Sequence, residues 1–170
     1  VNATLRCDGS SRFAEGHRFG WFPSVSAGWT VSNEKFFQPL ANILDFLKLR
    51  LSWGQVGNQN ISCFQYLATL GNDVYYNYGS NTNKYGFYPT RVANPDLTWE
   101  TSEQFNVGID ARLLRNLNIN LDYYIKTTKD WLVSSPTYAT TGFSEALING
   151  GDVRNSGFEF NLTWNDKIGK

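Results

Sequence analysis

The sequence predicts an all-β fold, the antiparallel strands of a transmembrane β-barrel, on three observations. About six segments of the 170-residue chain alternate apolar and polar residues with a period of two. The connections at one end of these segments are short and those at the other end are long. All six Trp fall on the apolar phase of their segments. Composition agrees, because 16 % of the chain is aromatic and Gly, Asn, Ser and Thr are plentiful, a mixture that favours strands and turns over helices.

A connection over 7–20 leads into the first clear strand, over 21–31, within "GWFPSVSAGWTVS". Trp21, Pro23, Val25, Ala27, Trp29 and Val31 share one face, and Phe22, Ser24, Ser26, Gly28 and Thr30 share the other. Pro23 lacks an N–H and belongs near a strand end or a bulge. "NEKFFQPLANILDF" breaks the alternation and reads as a short connection with one helical turn. The next strand covers 47–55, where Leu47, Leu49, Leu51 and Trp53 oppose Lys48, Arg50, Ser52 and Gly54. Residues 56–97 carry no alternation and read as one long irregular loop.

Alternation resumes over 98–113, with Phe105, Val107, Ile109, Ala111 and Leu113 against Gln104, Asn106, Gly108, Asp110 and Arg112. A turn at 114–116 reverses the chain into 117–132, where Leu117, Ile119, Leu121, Tyr123 and Ile125 oppose Asn118, Asn120, Asp122, Tyr124 and Lys126. A loop over 133–156 precedes the last strand, 157–164, in which Phe158, Phe160, Leu162 and Trp164 oppose Glu159, Asn161 and Thr163. The connections 32–46 and 114–116 thus lie at one end, and 7–20, 56–97 and 133–156 at the other. Short turns on one side and long loops on the other is the pattern of outer-membrane barrels.

The formal net charge is zero, which removes the basic field that nucleic-acid binding needs. The chain has no apolar run of about 18 residues for a transmembrane helix, but a barrel strand needs only half of its residues apolar. Met is missing altogether, and "VNATLRCDGSSRF" has no signal-peptide pattern, so the chain reads as a processed protein or the interior of a longer one. Two Cys, Cys7 and Cys63, fall in turn-like sequence. They are too few for a disulfide scaffold, and a single loop-to-loop disulfide stays open.

The apolar faces need either a protein core or lipid. A soluble β-sandwich would have to cover several long strands from a chain with no amphipathic helix. In a barrel the apolar rows meet lipid and the indoles mark the two interfaces. Glu103 and Lys129 break the apolar phase. If Leu113 faces Leu117, Glu103 faces Thr127 and lies diagonal to Lys129, so the two are expected together above the bilayer. Trp99 and Trp131 are then expected opposite each other, higher still.

The ordered set "RCDGSSRF", "GWFPSVSAGW", "LKLRLSWGQVGN", "NPDLTWETSEQFNVGID" and "NGGDVRNSGFEF" resembles the barrel of the SusC/RagA-like TonB-linked outer-membrane proteins. The resemblance runs over nearly the whole chain. It implies a 22-stranded barrel in the bacterial outer membrane, an N-terminal plug, a TonB box that engages TonB, and a SusD-like lipoprotein partner. It also implies energy-dependent import of oligosaccharides or peptides. Residues 1–170 then read as part of one barrel domain, with the plug and the remaining strands outside this chain.

On the barrel reading, Lys48, Arg50, Asp110, Arg112, Asp122, Lys126 and Glu159 are candidates to line the lumen. There they hydrate the wall, contact the plug or set solute preference. Asp110 and Asp122 also form a carboxylate pair of the kind hydrolases use, but their strand setting favours solvated wall charges. Tyr75, Tyr76, Tyr78, Tyr85 and Tyr88 crowd the longest loop as candidates for sugar stacking, partner contact or plain loop packing. His17 stands alone. No cofactor, metal site or catalytic set is expected, and an enzyme is the least supported class. A small complete barrel with a structural or adhesive role and a soluble carbohydrate-binding sandwich are the competing readings.

Overall fold

A computed structural model of the chain describes residues 1–170 apart from 41, 78, 80–82, 144 and 167–170. Its main element is one six-stranded antiparallel sheet. The strands among the described residues are β1 (Asn2–Gly9), β2 (Phe19–Thr30), β3 (Leu44–Asn58), β4 (Leu70–Asn77), β5 (Asn83–Pro89), β6 (Glu100–Leu113), β7 (Leu117–Lys129), β8 (Leu132–Pro136), β9 (Glu145–Asn149) and β10 (Val153–Trp164). The sheet order is β1-β2-β3-β6-β7-β10, so sequential strands are neighbours apart from two excursions, and each excursion forms its own hairpin, β4-β5 and β8-β9. No α-helix occurs among the described residues.

The register turns the sequence alternation into continuous rows. Trp53, Phe105 and Ile125 align, as do Leu51, Val107 and Tyr123, then Leu49, Ile109 and Leu121, then Leu47, Ala111 and Ile119. β10 extends the lower three rows with Phe158, Phe160 and Leu162, and β2 extends the upper three with Val25, Ala27 and Trp29. A one-residue slip in any strand would move its whole apolar set to the other face, so these rows fix the register.

This apolar face carries no protein cover. Leu49 and Ile109 are 37 % exposed and Phe158 is 77 % exposed, while Leu47, Trp53, Ala111, Ile119, Tyr123 and Ile125 are partly exposed. Leaving one such side chain in water forfeits about 1.5–3 kcal/mol, so the face needs hydrocarbon against it. The buried hydrophobic residues lie elsewhere. Val31 and Phe37 sit in the connection between β2 and β3, and Phe13, Phe22, Ile61, Leu97 and Trp99 pack together among the long loops.

That loop cluster corrects the expected position of Trp99. It is 6 % exposed, with its ring 5.2 Å from Phe13 and 5.6 Å, edge-on, from Phe22. Pairing of β6 with β7 ends at Thr101 and Lys129, and Asp130 has a left-handed φ of 54°. The alternation therefore stops before it reaches Trp99 and Trp131. Trp131 is half exposed, its backbone bonded to Gly150 and Gly151.

Three further differences concern extents. The stretch 56–97 is not wholly irregular, because it holds the β4-β5 hairpin, and 133–156 holds β8-β9. Of the β8-β9 hairpin only Leu132 and Leu147 pack on the buried loop cluster, one position on each strand, so a period of two could not signal it. The expected single helical turn is two 3₁₀ segments, Val31–Asn33 and Lys35–Leu40. Strands β3 and β10 run beyond the apolar rows.

Candidate functional site: the polar face of the sheet

The residues opposite the apolar rows form a second continuous ladder. Gly28, Arg50, Gly108, Asp122 and Glu159 share one row, and Thr30, Lys48, Asp110, Asn120 and Asn161 share the next. Arg50 is the centre of this ladder. Its Nε and Nη2 donate to the two Asp110 oxygens at 2.8 and 2.9 Å, and Nη2 also donates to the Asp122 carboxylate at 2.9 Å. Asn120 Nδ2 donates to Asp110 Oδ1 at 2.9 Å. One guanidinium on β3 thereby joins β6 and β7. A forked Arg–carboxylate contact fixes geometry as well as charge.

Gly108 makes this crossing possible. A Cβ there would stand 2.8 Å from Arg50 Cζ and would also collide with the Asp122 carboxylate. The lack of a side chain lets the guanidinium lie across the β6 backbone. Lys48 lies over Gly28 in a similar way, at 3.2 Å from a Cβ built there.

Of the seven charged residues singled out from sequence, Arg50, Asp110 and Asp122 thus form one network with Lys48 beside it. Arg112 stands a row lower, 3.8 Å from Asp45, which sits at a register irregularity between Leu44 and Phe46. Lys126 and Glu159 are exposed on the same face, apart from the network. Asp110 and Asp122 are both engaged by Arg50, which leaves neither poised as a hydrolytic acid or base.

Alternation gave less warning of the neutral part of this face. Gln104 Nε2 donates to Asn106 Oδ1 at 2.9 Å, and Asn106 Nδ2 donates to Ser52 Oγ at 3.2 Å. With Thr4, Ser24 and Ser26 they line a shallow groove of about 450 Å³. Their only sequence signal was a position on the polar phase.

The two charges on the apolar phase behave as the register implies. Glu103 pairs with Thr127, and its carboxylate takes a hydrogen bond from Lys129 Nζ at 2.7 Å and one from Trp53 Nε1 at 2.8 Å. The Lys129 contact first, and the indole second, hold Glu103 below the usual carboxylate range. The same contact raises the Lys129 ammonium.

On the β4-β5 hairpin, Tyr75 pairs with Tyr85 at a ring separation of 5.0 Å. Tyr76 packs over Gly86 and Tyr88 over Gly71. Three of these rings are more than half exposed: Tyr75, Tyr76 and Tyr85. Tyr88 bonds Asp73, which raises its phenol above the ordinary value. Tyr78 lies outside the described residues. Cys7 and Cys63 are exposed free thiols. His17 is part of a loop turn, its N–H donating to Ala14 O. Among the described residues no group of three or more His, Cys, Asp or Glu could hold a metal ion.

A sheet with one face that requires hydrocarbon and an opposite face carrying a charged, hydrogen-bonded ladder defines a wall segment of a transmembrane β-barrel. The chain belongs to the TonB dependent receptor-like, beta-barrel family, whose model matches residues 1–169. This is a family of outer-membrane receptors and transporters, not enzymes. The chain is similar to TonB-dependent receptor P39 of Formosa agariphila, at 40 % identity over 95 % of this chain and 15 % of that protein. It is also similar to TonB-dependent receptor SusC of Bacteroides thetaiotaomicron, at 36 % identity over 94 % of this chain and 16 % of that protein. Among solved structures, the RagAB peptide importer in its closed-closed state matches with a TM-score of 0.83 and 32 % identity, over 99 % of this chain and 18 % of that one. The open-open state matches with a TM-score of 0.78 and 34 % identity, over 94 % of this chain and 17 % of that one. The chain therefore spans about 15–16 % of the length of the curated relatives it matches.

Proposed function

We propose that this chain forms part of the wall of an outer-membrane TonB-dependent importer that takes up oligosaccharides or peptides with a SusD-like lipoprotein, driven through TonB. The observation that carries the reading is the division of the six-stranded sheet, from the row of Trp53 to the row of Leu47, into an apolar and a polar face. The apolar rows cover Phe105–Leu113 and Leu117–Ile125, segments matching the roughly 9–11 residues a barrel strand needs to span a bilayer. Trp21 and Trp29 on β2 are eight residues apart, about 27 Å of strand. At a tilt of about 40° that is roughly 20 Å of height, near the apolar band of about 25 Å. The Trp29 indole N–H donates to Glu34 at 3.1 Å and that of Trp53 to Glu103 at 2.8 Å, as rings held at an interface do.

On this reading Lys48, Arg50, Asp110, Arg112, Asp122, Lys126 and Glu159 face the lumen, where Arg50 stiffens the wall. The exposed Tyr75, Tyr76, Tyr85 and Tyr88 stand at the outer mouth and meet solute or the lipoprotein. Spin labels at 49, 107 and 160 of the full-length receptor test the geometry. They should be reached by oxygen dissolved in the bilayer, whereas labels at 50, 110 and 159 should be reached by a water-soluble relaxant. The reverse pattern refutes a lipid-facing apolar side. Deletion of the full-length gene should abolish growth on one oligosaccharide or peptide source and leave growth on free monomers intact. Normal growth on every such source refutes the import role.

A further inference from the structure

Above the polar wall, the loops enclose a recess of about 230 Å³ that the transport reading does not use. Ile61, Leu132 and Leu147 give it an apolar side, and all three belong to or pack on the buried loop cluster. Arg91, Glu145 and Gln65 give it a polar one. Arg91 is half-buried, and its side chain has no ion-pair or hydrogen-bond partner among the described residues. Glu145 is held by Ser134, whose hydroxyl donates to it at 2.5 Å.

Each wall of this recess is pinned. Arg12 Nη1 donates to the carbonyls of Gln59 and Ile61 at 3.1 and 2.8 Å. Thr90 N donates to Thr69 O at 2.8 Å, which fixes the backbone next to Arg91. Asn94 Nδ2 donates to Leu147 O at 2.9 Å. A cation held partly out of water beside apolar side chains, on segments already ordered, loses little freedom when an anion arrives.

We infer that this recess binds the carboxylate end of a small ligand, with Arg91 as the anion clamp and Glu145 accepting a hydrogen bond from a hydroxyl or ammonium on the same ligand. The volume lies below the roughly 300–1,000 Å³ of pockets that enclose a drug-sized molecule, so one terminal unit enters and the rest projects outward. A sugar acid and a peptide C-terminus share this chemistry. The inference narrows the solute class of the proposed importer and rests on that reading only for the outward direction of the loops. Binding is measured at equilibrium, so its failure and a failure of uptake are separate results.

The test is calorimetric titration of the full-length receptor in detergent with four probes: glucuronate, glucose, glycylglycine and glycylglycine amide. Each acid should bind at least about tenfold more tightly than its neutral or amidated counterpart, as expected for a charge-assisted forked contact. Arg91→Gln should erase that discrimination, Arg91→Lys should keep part of it, and Arg18→Gln, on an exposed loop arginine, should leave it intact. Tighter binding of glucuronate assigns a sugar acid, and tighter binding of the dipeptide assigns a peptide terminus. Heat-modifiable migration unchanged from wild type certifies that each variant is folded. No preference for acids in the wild type, or a preference that survives Arg91→Gln in folded protein, overturns the proposal.

Discussion

Leu114 and Arg115, at the turn between β6 and β7, both hold left-handed backbone, with φ of 51° and 64°. They are the two central residues of the Leu113–Asn116 turn, closed by Asn116 N donating to Leu113 O within the connection 114–116, and two positive φ values there are those of a type I′ turn, for which Asn-Gly is the favoured pair. Each L-residue forced there costs about 1–2 kcal/mol. Replacing Leu114–Arg115 by Asn-Gly should therefore raise the stability of the refolded barrel by about 1–2 kcal/mol, read from a urea titration of the gel-shifted band. At Gly108 the sign reverses. Gly108→Ala should displace Arg50 from Asp122 and destabilise by about 1–3 kcal/mol, and a variant with wild-type stability would show that the crossing is slack.

The Glu103–Lys129 pair gives a prediction in pH. Glu103 is lowered, so its contribution is present above the unfolded carboxylate value of about 4.3 and is lost as pH falls through the folded value. Lys129 is raised, so its contribution is present below about 10.4 and is lost as pH rises through the folded value. Between those limits the pair is intact, though both side chains are partly exposed and salt weakens the pair. In Lys129→Gln, carbon-detected NMR should show the Glu103 titration moving up toward an ordinary carboxylate. No movement would assign the depression to the hydrogen bonds from Trp53 and Gln55.

At the scale of elements, three strands are joined by one side chain. Arg50→Met would remove the guanidinium and leave Asp110 and Asp122 facing each other, so β3, β6 and β7 should exchange amide hydrogens faster in their middle rows. Unchanged protection there would reduce Arg50 to a surface charge. The long loops depend on a different residue. Asn149 Nδ2 donates to the carbonyls of Thr98 and Asp130, and its Oδ1 accepts from Thr98 N. These bonds dock β9 on the segment that carries Trp99. Asn149→Ala should leave the six-stranded sheet folded and make the 90–99 and 130–150 loops sensitive to protease. Equal resistance in the variant would place the docking in the apolar cluster alone.

For the whole molecule, the apolar rows decide whether the chain assembles. A Lys or Arg on the lipid side at mid-depth costs about 2–4 kcal/mol. Leu121→Lys lies in the middle of such a row and should sharply reduce insertion of the full-length receptor into bilayers. The neighbouring Asn120→Lys, on the polar face, should insert normally. Equal insertion of both variants would mean that lipid does not touch the Leu121 face.

Side-chain alternation determined the strands, the two faces, the hairpin at 114–116 and the meeting of Glu103 with Lys129, because a period of two forces position along a strand to become position on a face. Only the tertiary structure decided where alternation ends. Trp99 keeps the apolar parity of β6 but turns inward onto Phe13 and Phe22, since β6 pairs with β7 only from Thr101 and with β3 only from Glu100, which leaves Trp99 itself unpaired. The β4-β5 and β8-β9 hairpins, the reach of Arg50 over Gly108 and the Arg91 recess likewise arise from contacts between segments far apart in the chain. Local pattern cannot encode such contacts, because each partner's surroundings are set by backbone that returns 20 to 60 residues later.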